Sequence, residues 1–168
     1  MSFDIAFPVM ISFVAMIMDL QTARIDNGWI LFSVLGTMLY RIISGGHMWS
    51  CLPGMVFPVL LLGGLFYFRM LGAGDIKLFC ALGYVMGTEA VGKCIFTALV
   101  LGAAISLAIL LSCGMFCQRI HYFMQYLKEY IKTGKHEPYL QKGMEHPENF
   151  HFSVPIFMSV LLYAGGVY

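Results

Sequence analysis

Charge is what this chain has least of. Only 11% of its 168 residues are Asp, Glu, Lys or Arg, against about 25% in a soluble domain. A surface built from so few polar groups cannot face water on all sides, and this excludes an ordinary soluble fold. Net charge is only +1, so no nucleic-acid partner is implied. The five cysteines, Cys51, Cys80, Cys94, Cys113 and Cys117, contain no C-x-x-C pair, which argues against a zinc ribbon. They read as small apolar packing residues. No Lys or Arg precedes the first apolar run, and no small-residue cleavage site follows it. That run is therefore expected to be a retained helix and not a cleaved signal. Internal repeats and low-complexity tracts are also missing.

What the chain does have is apolar length. Hydrophobic residues make up 60% of it. A membrane helix needs about 20 mostly apolar residues, with about 17 as a lower limit. Six runs qualify or come close: Phe3 to Met18, Gly28 to Ile43, Leu52 to Phe68, a short one from Asp75 to Gly87, Val91 to Phe116, and Phe152 to Tyr168. The expected fold is all-α: one membrane-embedded domain over residues 1–168, with about six transmembrane helices.

The basic residues orient these helices. Eight of ten fall after the first, third and fifth runs: Arg24, Arg69, Lys77, Arg119, Lys128, Lys132, Lys135 and Lys142. Arg41 and Lys93 fall on the other side. Positive charge collects on the cytoplasmic side of a membrane, so both termini are expected outside. The polar segment 118–151 is then cytoplasmic. Ile120, Phe123, Leu127 and Ile131 form a helical stripe in it, which predicts an amphipathic helix lying in the interface. From Thr133 to Asn149 the breakers Gly134, Pro138, Gly143 and Pro147 predict a loop. His136, His146 and His151, with Glu137, Glu145 and Glu148, lie in this polar stretch and match no metal-ligand spacing. They read as solvated residues, and no metal is expected.

Ionisable residues in apolar helices cost about 2.5–3.5 kcal/mol at the bilayer centre. Asp19 closes the first run and Asp75 opens the fourth. By the charge rule both fall at the cytoplasmic face, so two carboxylates share one depth. An acid at a helix N-terminus is favourable in any case, and that is the structural reading of Asp75. Its surroundings, Gly72-Ala-Gly74-Asp75-Ile-Lys77, leave a slim backbone that a peptide can approach closely. Thr22, three residues past Asp19, is expected to orient the Asp19 carboxylate with its hydroxyl. Lys77 reads equally as an attractor of anionic groups and as a snorkelling anchor.

These residues resemble a known family, the type IV prepilin peptidases, which include the archaeal preflagellin peptidases. The first family motif is matched by Asp19, Thr22, Ile25 and Asn27, and the second by Gly72, Gly74, Asp75, Lys77 and Leu78. Phe152-Ser-Val-Pro155 loosely fits the start of the family's last helix. Asp26 stands where the family usually has Pro. It adds a third nearby carboxylate, but the motif position selects Asp19. The cytoplasmic portion with paired cysteines found in the larger bifunctional relatives is missing. This resembles the short peptidase-only branch, such as the enzymes serving tight-adherence pili.

The resemblance implies an intramembrane aspartyl endopeptidase of a bacterial or archaeal plasma membrane, acting near the cytoplasmic face. Asp19 and Asp75 would be the catalytic pair, supported by Thr22, Asn27, Gly72, Gly74 and Lys77. The substrate would be a prepilin-like protein, with membrane lipid as the other partner and no cofactor. Two other classes remain open: a small proton- or cation-coupled transporter, and a non-catalytic subunit of a pilus or secretion machine. Transporters usually place such acids near the midplane and show repeated halves; these acids lie at helix ends and no repeat is visible. An assembly subunit would tolerate loss of either acid.

Overall fold

The computed structural model describes residues 3–45, 51–67, 70–112 and 151–167. Every regular element among them is a helix: α1 (Phe3–Thr22), α2 (Asn27–Ile43), α3 (Leu52–Tyr67), α4 (Ala73–Met86), α5 (Thr88–Ser112) and α6 (Ser153–Ala164). The expected amphipathic helix and most of the polar loop lie outside the described residues. The chain divides into two compact units, 1–102 with 151–168, and 103–150. In the second, the described residues are the last part of α5. The hydrophobic core belongs to the first.

The helices of the first unit alternate in direction. At one end the start of α1 meets the end of α2: Phe3 stacks on Tyr40 with ring centroids 3.7 Å apart, and Asp4 faces Arg41 at 3.8 Å. The Arg41 guanidinium also donates to the Val85 carbonyl near the end of α4, at 3.3 Å. The start of α3 packs at the same end, where Gly54 lies against Gly83 and Gly87. At the opposite end, the last turn of α1 meets the first residue of α6, where Ser153 bonds Asp19. There too, the start of α2 meets the start of α4 through Asn27 and Lys77. Cys94 and Ser159 join α5 to α6 at 2.9 Å.

The centre is α4. Its residues from Leu78 to Val85 are all buried, so this helix has no outer face. Gly54 and Gly83 let α3 cross it with backbones in contact: a Cβ at either position would run into the other's carbonyl. Small residues at such crossings allow the closest helix approach. Around α4 pack Ile11 and Ala15 of α1, Leu62 of α3, Val91, Cys94, Ile95 and Ala98 of α5, and Ile156 and Val160 of α6. Cys51, Cys80 and Cys94 are buried, in keeping with a packing role.

The outside is apolar as well. Leu31, Phe32, Leu35, Leu39 and Ile43 of α2 and Leu60 of α3 are exposed. Soluble monomers rarely carry apolar patches of that extent. By length and composition α1 and Thr88–Ile109 are able to cross a membrane, while α2, α3 and α6 are apolar but shorter.

Several boundaries differ from expectation. Helix α1 runs on past Met18 to Thr22, so Asp19 stands inside its last turn. Helix α4 begins at Ala73, two residues before Asp75, because Gly72 takes the extended N-cap conformation. Helix α6 stops at Ala164, where Gly165 caps it and Gly166 turns into the left-handed region at φ 74°. That is a common way to end a helix.

Candidate active site

Asp19 and Asp75 reach the same end of the unit from α1 and α4. Asp19 stands in the last turn of α1 and Asp75 in the first turn of α4, so the alternating helices bring the two acids to one end although 56 positions separate them. Both are half-buried.

Asp75 is placed by the start of its own helix. Counting from the N-cap Gly72, it is the third helical residue, and its carboxylate lies back against Gly72. A side chain reaching back from that position is half of a capping box. A Cβ at Gly72 would lie 3.0 Å from Asp75 Oδ2, so a side chain there would press on the carboxylate. Gly74 is different, since a Cβ there would make ordinary contact with Ile25 at 3.6 Å. Within this chain, neither sterics nor backbone conformation explains a glycine at that position.

Asp19 is held from another helix. Ser153 Oγ donates to its Oδ2 at 2.6 Å, and His151 Nδ1 lies 3.2 Å from the same oxygen. Side-chain exposure is 15% for Asp19 and 19% for His151. The reading of His151 as a solvated loop residue is therefore corrected: it packs against the acid. His136 and His146 lie outside the described residues. The sequence offers a weak pointer to this contact, a lone Ser in the apolar run that opens the last helix.

Thr22 does not orient Asp19. Its hydroxyl lies 2.8 Å from the Met18 carbonyl and 3.0 Å from that of Arg24, so its proton is engaged with the main chain. The helix ends at this point: Ala23 adopts φ 52° and its N–H bonds the Asp19 carbonyl at 2.8 Å. The last carbonyls of a helix need donors, and Thr22 supplies one. Asp26 caps α2, accepting from the Gly28 N–H at 3.2 Å. Asn27, the first residue of α2, accepts from Lys77 Nζ at 2.8 Å. One residue of each sequence motif thus fastens the two motifs together.

An open apolar cavity of about 600 Å³ is lined by Gly63, Phe66, Tyr67, Met70, Leu71 and Gly72, the last being the N-cap of the helix that carries Asp75. Among the described residues no cluster of three His, Cys, Asp or Glu residues is arranged to hold a metal ion.

The sequence profile of the type IV leader peptidase family matches residues 6–112, more than half of the chain. The chain belongs to the type IV leader peptidase family. The match contains Asp19, Asp75 and the Asn27–Lys77 link. It ends before His151 and Ser153, so the side chains that hold Asp19 in this leader peptidase come from beyond it. No curated protein and no solved structure matches the chain.

Proposed function

We propose that this leader peptidase is a multi-pass membrane aspartyl endopeptidase, with Asp19 and Asp75 as its catalytic pair. The observation that carries the reading is that the packing brings Asp19, in the last turn of α1, and Asp75, in the first turn of α4, to the same end of the helices, where Lys77 meets Asn27 and Gly74 lies beside Ile25. Two carboxylates brought together cannot both ionise cheaply and come to share a proton, the protonation state that acid–base hydrolysis needs. The exposed apolar faces of α2 and α3 are the lipid-facing surface. The end that carries Arg24, Lys77 and the two acids faces the cytoplasm.

The chemistry uses water. The ionised carboxyl takes a proton from water as its oxygen bonds to the scissile carbonyl carbon. The protonated carboxyl passes its proton to the carbonyl oxygen. Collapse of the tetrahedral intermediate then breaks the C–N bond as the carboxyl that took water's proton gives it to the leaving nitrogen, while a hydroxyl of the intermediate returns its proton to the other carboxylate. These roles belong to the pair. The substrate is a prepilin-like protein, with a short basic leader followed by a hydrophobic helix. Its apolar part lies along the cavity from Gly63 to Gly72, and the bare backbone at Gly74 leaves room for the extended peptide.

Co-expression with a prepilin tests the reading, with leader loss followed by gel shift or mass. Asp19→Asn and Asp75→Asn keep size and remove the ionisable proton. Each is expected to lower cleavage by about 10²–10⁴, and the double variant to be no worse, because acids acting as a unit do not lose activity additively. Asp26→Asn loses at most part of a helix cap and should retain most activity. Normal processing by Asp75→Asn would end the protease reading. Normal processing by Asp19→Asn together with loss in Asp26→Asn would transfer the role to Asp26.

A further inference from the structure

Among the described residues, the buried serine and threonine hydroxyls follow a pattern with one exception. Ser12 donates to Pro8 O, Ser33 to Trp29 O and Thr37 to Ser33 O, each four residues back on its own helix. Ser159 turns back on Ile156 O and also meets Cys94. This is how a hydroxyl in an apolar helix satisfies itself. Ser153 is fully buried yet reaches across to a carboxylate on another helix, at 2.6 Å. As the first residue of α6 it has no preceding turn to bond. The distance lies in the short range of hydroxyl–carboxylate bonds, which are about twice as strong as neutral ones.

The surroundings hold Ser153 firmly. Pro155, also buried, has a fixed φ and is tolerated in the first turn of a helix. The neighbouring Phe152 ring fits against Gly102 of α5, where a Cβ would approach it to 2.8 Å. His151 then adds a second partner on the same carboxylate oxygen, with Nδ1–H as donor when Asp19 is ionised. Two groups thus converge on Oδ2 of Asp19, and neither takes part in the bond-making steps of the proposed hydrolysis.

We propose that Ser153 and His151 are positioning residues for cleavage. They grip Asp19 through Oδ2, fix its side chain in one rotamer, and leave Oδ1 to face Asp75 and the attacking water. This rests on the dyad reading. A carboxylate free to rotate would spend part of its time with neither oxygen in line for proton transfer, and small misplacements of reacting groups are costly in rate. A purely structural alternative exists, in which the same bonds only staple α6 to α1. The two make different demands on kinetics.

The test uses the purified full chain in detergent micelles, with a synthetic peptide carrying a basic leader and the start of a hydrophobic helix. Ser153→Ala is expected to lower kcat about tenfold, the scale of one hydrogen bond to a charged group. KM should stay within about twofold, and the melting temperature should remain close to that of the parent. Ser153→Thr keeps the hydroxyl and should recover most of the loss. His151→Asn places an amide nitrogen near the Nδ1 position and should retain activity, whereas His151→Phe should lose it in kcat. Parental kcat in both Ser153→Ala and His151→Phe would overturn the proposal while leaving the dyad intact. So would losses that follow a lowered melting temperature and vanish on cooling. Parental kcat in Asp19→Asn would overturn the dyad, and this inference with it.

Discussion

Helix α1 carries one acid near each end, and the two are treated in opposite ways. Asp4 lies opposite a base, Arg41, which also donates to Val85 and so joins three helices. Asp19 shares its end of the helices with another acid, Asp75, and its partners Ser153 and His151 are donors that bring no fixed charge of their own. The glycines of α4 divide in the same way. Gly83, near the Arg41 end, has no room for a side chain because the α3 backbone touches it. Gly74, near the acid end, has room and lacks a side chain all the same. At one end charges are compensated and space is filled. At the other two acids share one end and the backbone is left open, which suits the proposed site.

Substitutions at the two glycines probe this contrast most strongly. Gly83→Leu forces a large side chain into the α3 crossing and should destabilise the protein at or beyond the upper end of about 1–3 kcal/mol for overpacking. It would be seen as lost yield and a lowered melting temperature in detergent, with activity lost along with the fold. Gly74→Ala should leave melting unchanged or slightly raised, since Ala is the better helix former, while cleavage falls about tenfold as the added methyl holds the peptide back. Equal melting losses for both glycines would erase the contrast between the ends. Arg41→Met should have the smallest effect. It removes a long ion pair to an acid that is half exposed, worth about 0.5 kcal/mol or less, and one bond to Val85 O, worth about 1 kcal/mol. A fall of a few degrees in melting temperature with unchanged kcat is expected. A large drop in kcat would mean that the compensated end also serves the reaction.

Much of the architecture is legible in one sequence because the signals are local. Apolar runs locate six helices to within a few residues, since burial and helical length leave their mark on consecutive positions. Asp19 and Asp75 stand out because acids at the ends of apolar helices are conspicuous. What escapes is the set of contacts that depends on how the helices pack. His151 closes a polar stretch and reads as solvated, because its partner lies 132 positions away. Ser153 sits in an apolar run where a lone hydroxyl normally bonds its own helix. Thr22 would serve Asp19 only if α1 continued past it. Ala23 ends the helix there, and the freed carbonyls take the hydroxyl instead. The Asn27–Lys77 bond joins two motifs that each look self-contained.

The grip on Asp19 has a consequence for the order in which the protein comes into being. Asp19 and Asp75 are made before Ser153, which follows Asp19 by 134 positions and opens α6. Until α6 is inserted, a nascent chain carries both acids and neither donor on Oδ2. The proposed site is therefore completed late in biogenesis, and a half-built peptidase would hold its acids without the clasp that aims one of them. Control over when this protein becomes competent to cut would then lie in the insertion of α6.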